Sequence, residues 1–308
     1  MPDITISVQA APADLDSWLD LARRLEAAGF GALLLGDHPG SGAAPWPALG
    51  AAAAVTRTLG LGSYVVQAGV REPVHVAADA ATLDVLAPGR VLLGIGAGHT
   101  PREWADIGRD RPGPRDRARR LAEFAESVAA LLRGETVSRD GEYLTLREAR
   151  LDGLPADGRV RLVIGGGHPD LLRAAARLAD VAGLSGLGRT LADGHHHEAR
   201  WSRADLERQL ALVRDEAARA GRTPPVLEAL VQVVTVTDDR AEVVRQVSGQ
   251  IPATVPADVA DSPFVLLGSH EQMAAQLRAQ AAELGITHYV VREPAVPDLE
   301  RVLALLRG

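Results

Sequence analysis

The chain has 308 residues, 46% hydrophobic and 24% charged, with net charge −7, so a sizeable core is expected and nucleic acid is not an expected partner. It contains no cysteine, which excludes disulfides, thiolate metal sites, iron–sulfur clusters and a cysteine nucleophile, and no lysine, which excludes Schiff-base chemistry. No basic and apolar leader opens the sequence and no apolar run reaches the ~20 residues of a membrane span, so a cytoplasmic protein without a membrane partner is expected.

Residues 4–8 alternate as a first strand. Asp14 or Asp16 caps a helix to about residue 28, with Leu15, Trp18, Leu21, Leu25 and Ala28 on one face, and Gly29 stops it. A second strand over 32–35 ends at Gly36-Asp37-His38, and a Pro/Gly/Ser/Ala loop leads to Trp46. A helix over 47–57, a strand over 61–66 and a helix from Pro73 to about residue 87 follow. The fourth strand, 91–93, breaks into Gly94-Ile95-Gly96-Ala97-Gly98, and a polar loop with His99, Arg102 and Glu103 comes next. Alternate glycines let a strand end approach something flat or bulky. They are not a dinucleotide fingerprint, because the third glycine that pattern needs is replaced by His99.

Beyond this point a long amphipathic helix is expected over 115–133 and a hairpin over 137–146, turning at Asp140-Gly141. A fifth strand over 162–164 closes in Gly165-Gly166-Gly167, then come a helix over 169–179 and a sixth strand over 181–184. Residues 185–201 fit neither period and read as an inserted loop. Ser202 or Asp205 starts a helix to about residue 220, a seventh strand covers 227–236, and its helix 240–250. Residues 251–262 form a second insertion. A helix over 271–284 capped by Gly268-Ser269, an eighth strand over 287–291 and a helix over 298–306 close the chain. Eight buried strands alternating with helices give an α/β fold, a (β/α)8 TIM barrel in one domain over 1–308, with inserted loops after strands 4, 6 and 7. The rival, a doubly wound open sheet, usually needs fewer units.

In such a barrel the functional groups lie where strands end. Strands two to six then deliver Asp37 and His38, the Ser63 to Val66 segment, Gly96, Gly98, His99 and Glu103, Gly165 to His168, and Ser185 with Arg189. The triple glycine before a helix is either an anion cradle or only a tight turn. Asp37-His38 is an acid–base pair or part of a metal site, but no third ligand is compelling and no metal is expected. Adjacent histidines rarely reach one ion, so His195, His196 and His197 read as part of a mobile lid rather than a metal tract. No G-x-S-x-G elbow supports a serine hydrolase.

Four stretches, GFGALLLGDH with Trp46 downstream, LGSYVVQAGVREPVHVAADAATLDVLAPGRVLLGIGAGH, RLVIGGGHPDLLRAAARLADVAGL and FVLLGSHEQMAAQLRAQAAELGITHYVV, resemble the bacterial luciferase-like superfamily. Within it the chain is most similar to the coenzyme F420-dependent oxidoreductases, whose fold is a (β/α)8 barrel with insertions. The resemblance implies that Asp37 and His38 stand beside the deazaflavin ring, with His38 in proton transfer. It places Ser63, Tyr64 and Val65 at a bulge with a non-prolyl cis peptide behind the ring. Gly96, Ala97 and Gly98 would run alongside the cofactor, and Gly165, Gly166, Gly167 and His168 would hold its phosphate. Glu103 matches an acid common in the family. Trp46, Arg189, His195, His196 and His197 would shape the substrate pocket. Where the sugar-phosphate dehydrogenases of the family carry a catalytic glutamate this chain has His99, and the lysines of their sugar-phosphate site are missing, which argues against sugar-phosphate oxidation. The expected function is hydride transfer between F420 and a small unsaturated, carbonyl or imine substrate, with His38 or His99 handling the proton. The alternatives are an FMN-dependent monooxygenase using O2 and a cofactor-free binding or partner subunit. A homodimer is implied by the family only.

Overall fold

A computed structural model describes residues 3–154, 160–190, 197–251 and 255–308. β1 (Thr5–Gln9), α1 (Leu15–Ala28), β2 (Ala32–Leu35), α2 (Pro45–Val55), β3 (Gly60–Gln67), α3 (Pro73–Leu86) and β4 (Val91–Gly96) form the first half as alternating units. Asp14, not Asp16, caps α1 by accepting from Ser17 N, and Gly29 ends it at φ 77°. Two helices follow, the short α4 (Pro101–Asp106) and the long α5 (Pro114–Leu132). α4 was expected to be polar loop. Pro101 at its first turn starts it, and burial of Glu103 and Trp104 holds it in place.

The hairpin is present as β5 (Val137–Asp140) and β6 (Thr145–Ala149), and then β7 (Arg161–Gly165), α6 (Pro169–Leu178) and β8 (Val181–Leu184) resume the alternation. The stretch expected to be an irregular loop contains a two-stranded antiparallel ribbon, β9 (Leu187–Thr190) and β10 (His197–Ala199). α7 (Arg203–Arg219), capped by Ser202, leads to β11 (Val226–Leu230). The single seventh strand of the sequence reading is in fact two. β11 belongs to the barrel, whereas β12 (Val233–Val236) leaves it to pair in parallel with β13 (Val265–Gly268). Both segments are apolar, so periodicity does not mark the break. Gln232 does, donating its backbone N–H to Phe264 O and its side chain to Ser185 O. α8 (Arg240–Gln250), the short α9 (Pro256–Ala260), α10 (His270–Leu284), β14 (Ile286–Arg292) and α11 (Val296–Arg307) complete the chain.

Eight parallel strands close as β1-β14-β11-β8-β7-β4-β3-β2. The alternation of side chains sorts the core into two shells. Ala32 and Leu34 of β2 point inward with Leu92, Val163, Val181, Leu230 and Val290, whereas Leu33 joins the larger core between barrel and helices. That is why the strands read as unbroken apolar runs: both faces are covered. Among the described residues no helix is long and apolar enough to cross a membrane.

At the opposite end of the barrel from the strand tips, Glu26 of α1 receives the backbone N–H groups of Arg57, Thr58 and Leu59 at 2.6, 2.6 and 3.0 Å. Burial raises its pKa, but these bonds outweigh it and bring it to about 2. The contribution to stability is therefore present above the ordinary carboxylate value and lost as pH falls toward 2. Glu26→Ala should cost roughly 1 kcal/mol at pH 7 after allowing for solvent screening. In denaturant titrations the gap from the parent protein should close between about pH 4.5 and pH 2.

Candidate active site

The strand tips surround a cavity of about 550 Å³. Its floor and one wall come from β3 and β4. The Tyr64-Val65 peptide is cis, and the register of β3 against β4 shifts between Ser63 and Val66. The β4 glycines explain how that bulge fits. A Cβ on Gly94 would land on the Ser63 carbonyl oxygen, one on Gly96 on Val65 Cγ2, and one on Gly98 on the Gln67 side chain. The glycines of β4 thus make room first for their neighbouring strand, and only through it for a ligand. Ser63 does not reach the cavity; it is fully buried and its hydroxyl donates to Gly94 O at 3.0 Å.

Asp37 and His38 emerge from β2 on the adjoining wall but serve separate partners. The buried Asp37 carboxylate accepts both Arg71 Nη2 (2.7 Å) and Nε (3.0 Å), a bidentate pair. His38 Nδ1 lies 2.7 Å from Oε1 of Glu103, whose side chain is only 2% exposed. The other Glu103 oxygen accepts from Gln67 Nε2. Glu103 is therefore not in the cavity wall but behind it, orienting His38. The Glu103 hydrogen bond lifts His38 above its ordinary range, against partial burial and the cation of Arg292. His99, 6.0 Å from His38 between ring centroids, goes the other way. Burial, helped by the imidazoles of His197 and His38, brings its pKa to about 4. At neutral pH the two histidines thus differ: His38 is the one held ready to carry a proton, and His99 is neutral.

The opposite wall brings together two helix starts and two arginines. α5 and α6 pack side by side, and residues from the first turns of both, Pro114 and Arg117 of α5 and Leu171 of α6, line the cavity with Gly165, Gly166, Gly167 and His168. A Cβ on Gly165 would meet nothing nearer than 3.8 Å, so the turn is open on that side. His168 caps α6 by accepting from Asp170 N at 3.2 Å. Arg111 donates to His99 O, and Arg117 donates to Pro112 O at 2.8 Å while its buried Nε has no partner. Across the cavity, Arg292 donates to Gln9 Oε1 at 2.6 Å, and Gln9 Nε2 donates to Tyr64 O at 2.6 Å. Below the floor, Glu228 is buried inside the barrel, which pushes its pKa up to about 7, and Gly183 leaves space for it and for the Tyr64 hydroxyl.

Of the residues singled out in the sequence, Asp37, His38, Tyr64, Val65, Gly96, Ala97, Gly98, His99, Gly165, Gly166, Gly167, His168 and His197 all line this one cavity. His197, on β10, stacks edge-on against His99 at 5.0 Å. Trp46 does not join them: in the first turn of α2, it packs partly buried against the core between barrel and helices. His195, His196 and the Arg189 side chain lie outside the described residues. Among the described residues no group of three or more His, Asp or Glu side chains is arranged to hold a metal. Gln9, Gln67, Arg71, Arg111, Arg117, Arg200 and Arg292 were missed. A survey that included the tips of the first and last strands would have found Gln9 and Arg292. The arginines on α3 and α5 flanks carry no motif.

If Glu103 sets the state of His38, Glu103→Gln should lower the His38 midpoint, because burial and Arg292 would then be opposed by Asp37 alone. A histidine NMR pH titration reads this directly, and an unchanged midpoint would remove Glu103 from that role.

Comparisons with known proteins show what the chain is similar to. An F420-dependent glucose-6-phosphate dehydrogenase of Beutenbergia cavernae is 38% identical over 192 residues, 59% of this chain and 56% of that protein. A protein of the same name from Nakamurella multipartita is 28% identical over 96% of this chain and 91% of its own length. The solved structure of an F420-dependent secondary alcohol dehydrogenase with an F420-acetone adduct superimposes over 100% of both chains with a TM-score of 0.78 at 19% identity, a likeness of fold. Residues 3–262 match the luciferase-like monooxygenase family, and the chain belongs to that family.

Proposed function

We propose that the protein is an F420-dependent oxidoreductase that moves a hydride between the deazaflavin and a small organic substrate, reducing an unsaturated, carbonyl or imine bond. The observation that carries this reading is the pairing of an anion-binding wall with a proton-holding histidine in one cavity of about 550 Å³. The relatives named above are F420-dependent by name, which supports the choice of cofactor.

The residues present suit that cofactor. The open side of the Gly165 turn, the paired starts of α5 and α6, and the unpartnered Arg117 Nε favour a phosphate, with Gly166, Gly167, His168 and Arg111 beside it. Tyr64, Val65, Gly96, Ala97 and Gly98 provide the surface for a flat ring, with Asp37 fixed at its edge by Arg71. When bound, F420 supplies the hydride-carrying carbon. The protein supplies orientation, a largely apolar floor and the proton. Because Nδ1 of His38 is committed to Glu103, Nε2 is the atom left to exchange a proton with substrate. His99 is unprotonated at neutral pH and acts here as a hydrogen-bonding wall group beside His197. A homodimer belongs to the same reading and rests on the family resemblance; a cytoplasmic location and a single domain over 1–308 are carried over as expectations from the sequence.

The alternative is an FMN-dependent monooxygenase; a 4-hydroxyprotoasukamycin monooxygenase of Streptomyces nodosus is 37% identical over 44% of the chain. Tryptophan-fluorescence titration separates the two. Micromolar F420 binding without FMN binding is expected, FMN binding alone would favour the alternative, and binding of neither would defeat both. In single-turnover hydride transfer, His38→Asn should slow the step by about 100-fold or more and His99→Asn by less than about 10-fold. The reverse order would transfer the proton role to His99.

A further inference from the structure

The cavity has two cationic sides, and the barrel sets them apart. Arg111 and Arg117 stand by the tips of β4 and β7, whereas Gln9 and Arg292 end β1 and β14, across the closed ring of strands. The first side is the one assigned above to the cofactor's phosphate. The second has no such occupant.

Arg292 forms no ion pair among the described residues. Its one described partner is the neutral amide of Gln9, itself tied to the Tyr64 carbonyl, so the guanidinium is held in place without being neutralised. The acids nearest the cavity are already engaged. Asp37 is taken by both arms of Arg71, and Glu103 by His38 and Gln67. Glu228 is buried beneath the floor, where desolvation favours its neutral form. One N–H of Arg292 goes to Gln9, which leaves donors of the fork for a bidentate acceptor. A single unmatched positive charge suits a monoanion, whereas a phosphate dianion finds two arginines and two helix starts on the other side. His38 and Arg292 line the same cavity, so one ligand in it can touch both.

We propose that the Arg292–Gln9 pair is the substrate's anion subsite and that the substrate is a small carboxylic acid, its carboxylate on Arg292 and its reducible group turned toward His38. This rests on the hydride-transfer reading for the word substrate, but the anion subsite stands or falls separately.

The test uses pyruvate and crotonate as probes, with methyl pyruvate and crotonamide as their uncharged counterparts and inorganic phosphate as a dianion. Binding is read from tryptophan fluorescence and from the His38 imidazole signal, in the free protein and with F420 present. Each acid should bind about 10-fold or more tighter than its neutral counterpart. Arg292→Gln should abolish that preference, Arg292→Lys should restore part of it, and F420 affinity should change by less than about 2-fold. Without any ligand, Arg292→Gln should raise the His38 midpoint, since a neighbouring cation is removed. Equal binding of acids and neutral analogues, or a preference that survives Arg292→Gln, overturns the proposal. So does an equal loss of F420 affinity, which would give Arg292 to the cofactor, or Arg292-dependent phosphate binding stronger than that of the acids. A parent protein that keeps the acid preference but binds no F420 leaves the subsite intact and defeats the cofactor reading instead.

Discussion

The close fit of the third barrel strand against the fourth is the contact on which the site depends. A side chain on Gly62 would collide with the Leu92 carbonyl, and one on Gly94 with that of Ser63. With Cβ atoms along this seam, β3 could not bulge inward at Tyr64-Val65, and Tyr64, Val65 and Gln67 would lose the positions from which they face the cavity. The seam also reaches the chemistry. Gln67, at the end of β3, donates to Glu103, and Glu103 holds His38 on β2. Packing between two strands is thus converted into the orientation of an imidazole on a third.

Electrostatics then divides the labour among identical residue types. His38 and His99 are neighbours in one cavity, yet one is hydrogen-bonded to a carboxylate, whereas the other is governed first by burial and then by the imidazoles of His197 and His38. The opposite displacement of two like groups favours the protonated form of one imidazole and the neutral form of the other within a single cavity. The arginines are sorted in the same way. Arg71 is neutralised by Asp37, while Arg111, Arg117 and Arg292 form no described ion pair and leave the cavity cationic in a chain of net charge −7. A field of that sign inside an acidic protein concentrates anionic ligands at the mouth.

The element order and the closed barrel were legible from the chain alone. Short apolar strands, alternating with amphipathic helices and punctuated by glycine, proline and capping residues, are local signals, and local forces set them. The glycine turns and the Asp37-His38 pair were visible for the same reason. Most of the nominated residues do meet in one cavity, because a barrel gathers all strand tips at one end.

What each residue does there was decided by the tertiary structure. Nothing in the local sequence says that Glu103 stands behind His38, that Trp46 turns into the outer core, or that the apolar run after residue 226 leaves the barrel at Gln232. The first and last of those outcomes depend on partners far along the chain: Glu103 lies 65 positions from His38, and Ser185 and Phe264 lie 47 and 32 positions from Gln232. Likewise the glycines of β4 announced a close approach, but only the folded barrel shows that the approaching groups are Ser63 and Val65 of the neighbouring strand β3. Periodicity is a property of neighbours along the chain, and it fixed the scaffold. Hydrogen bonds, burial and charge between distant strands are properties of the closed ring, and they fixed the site.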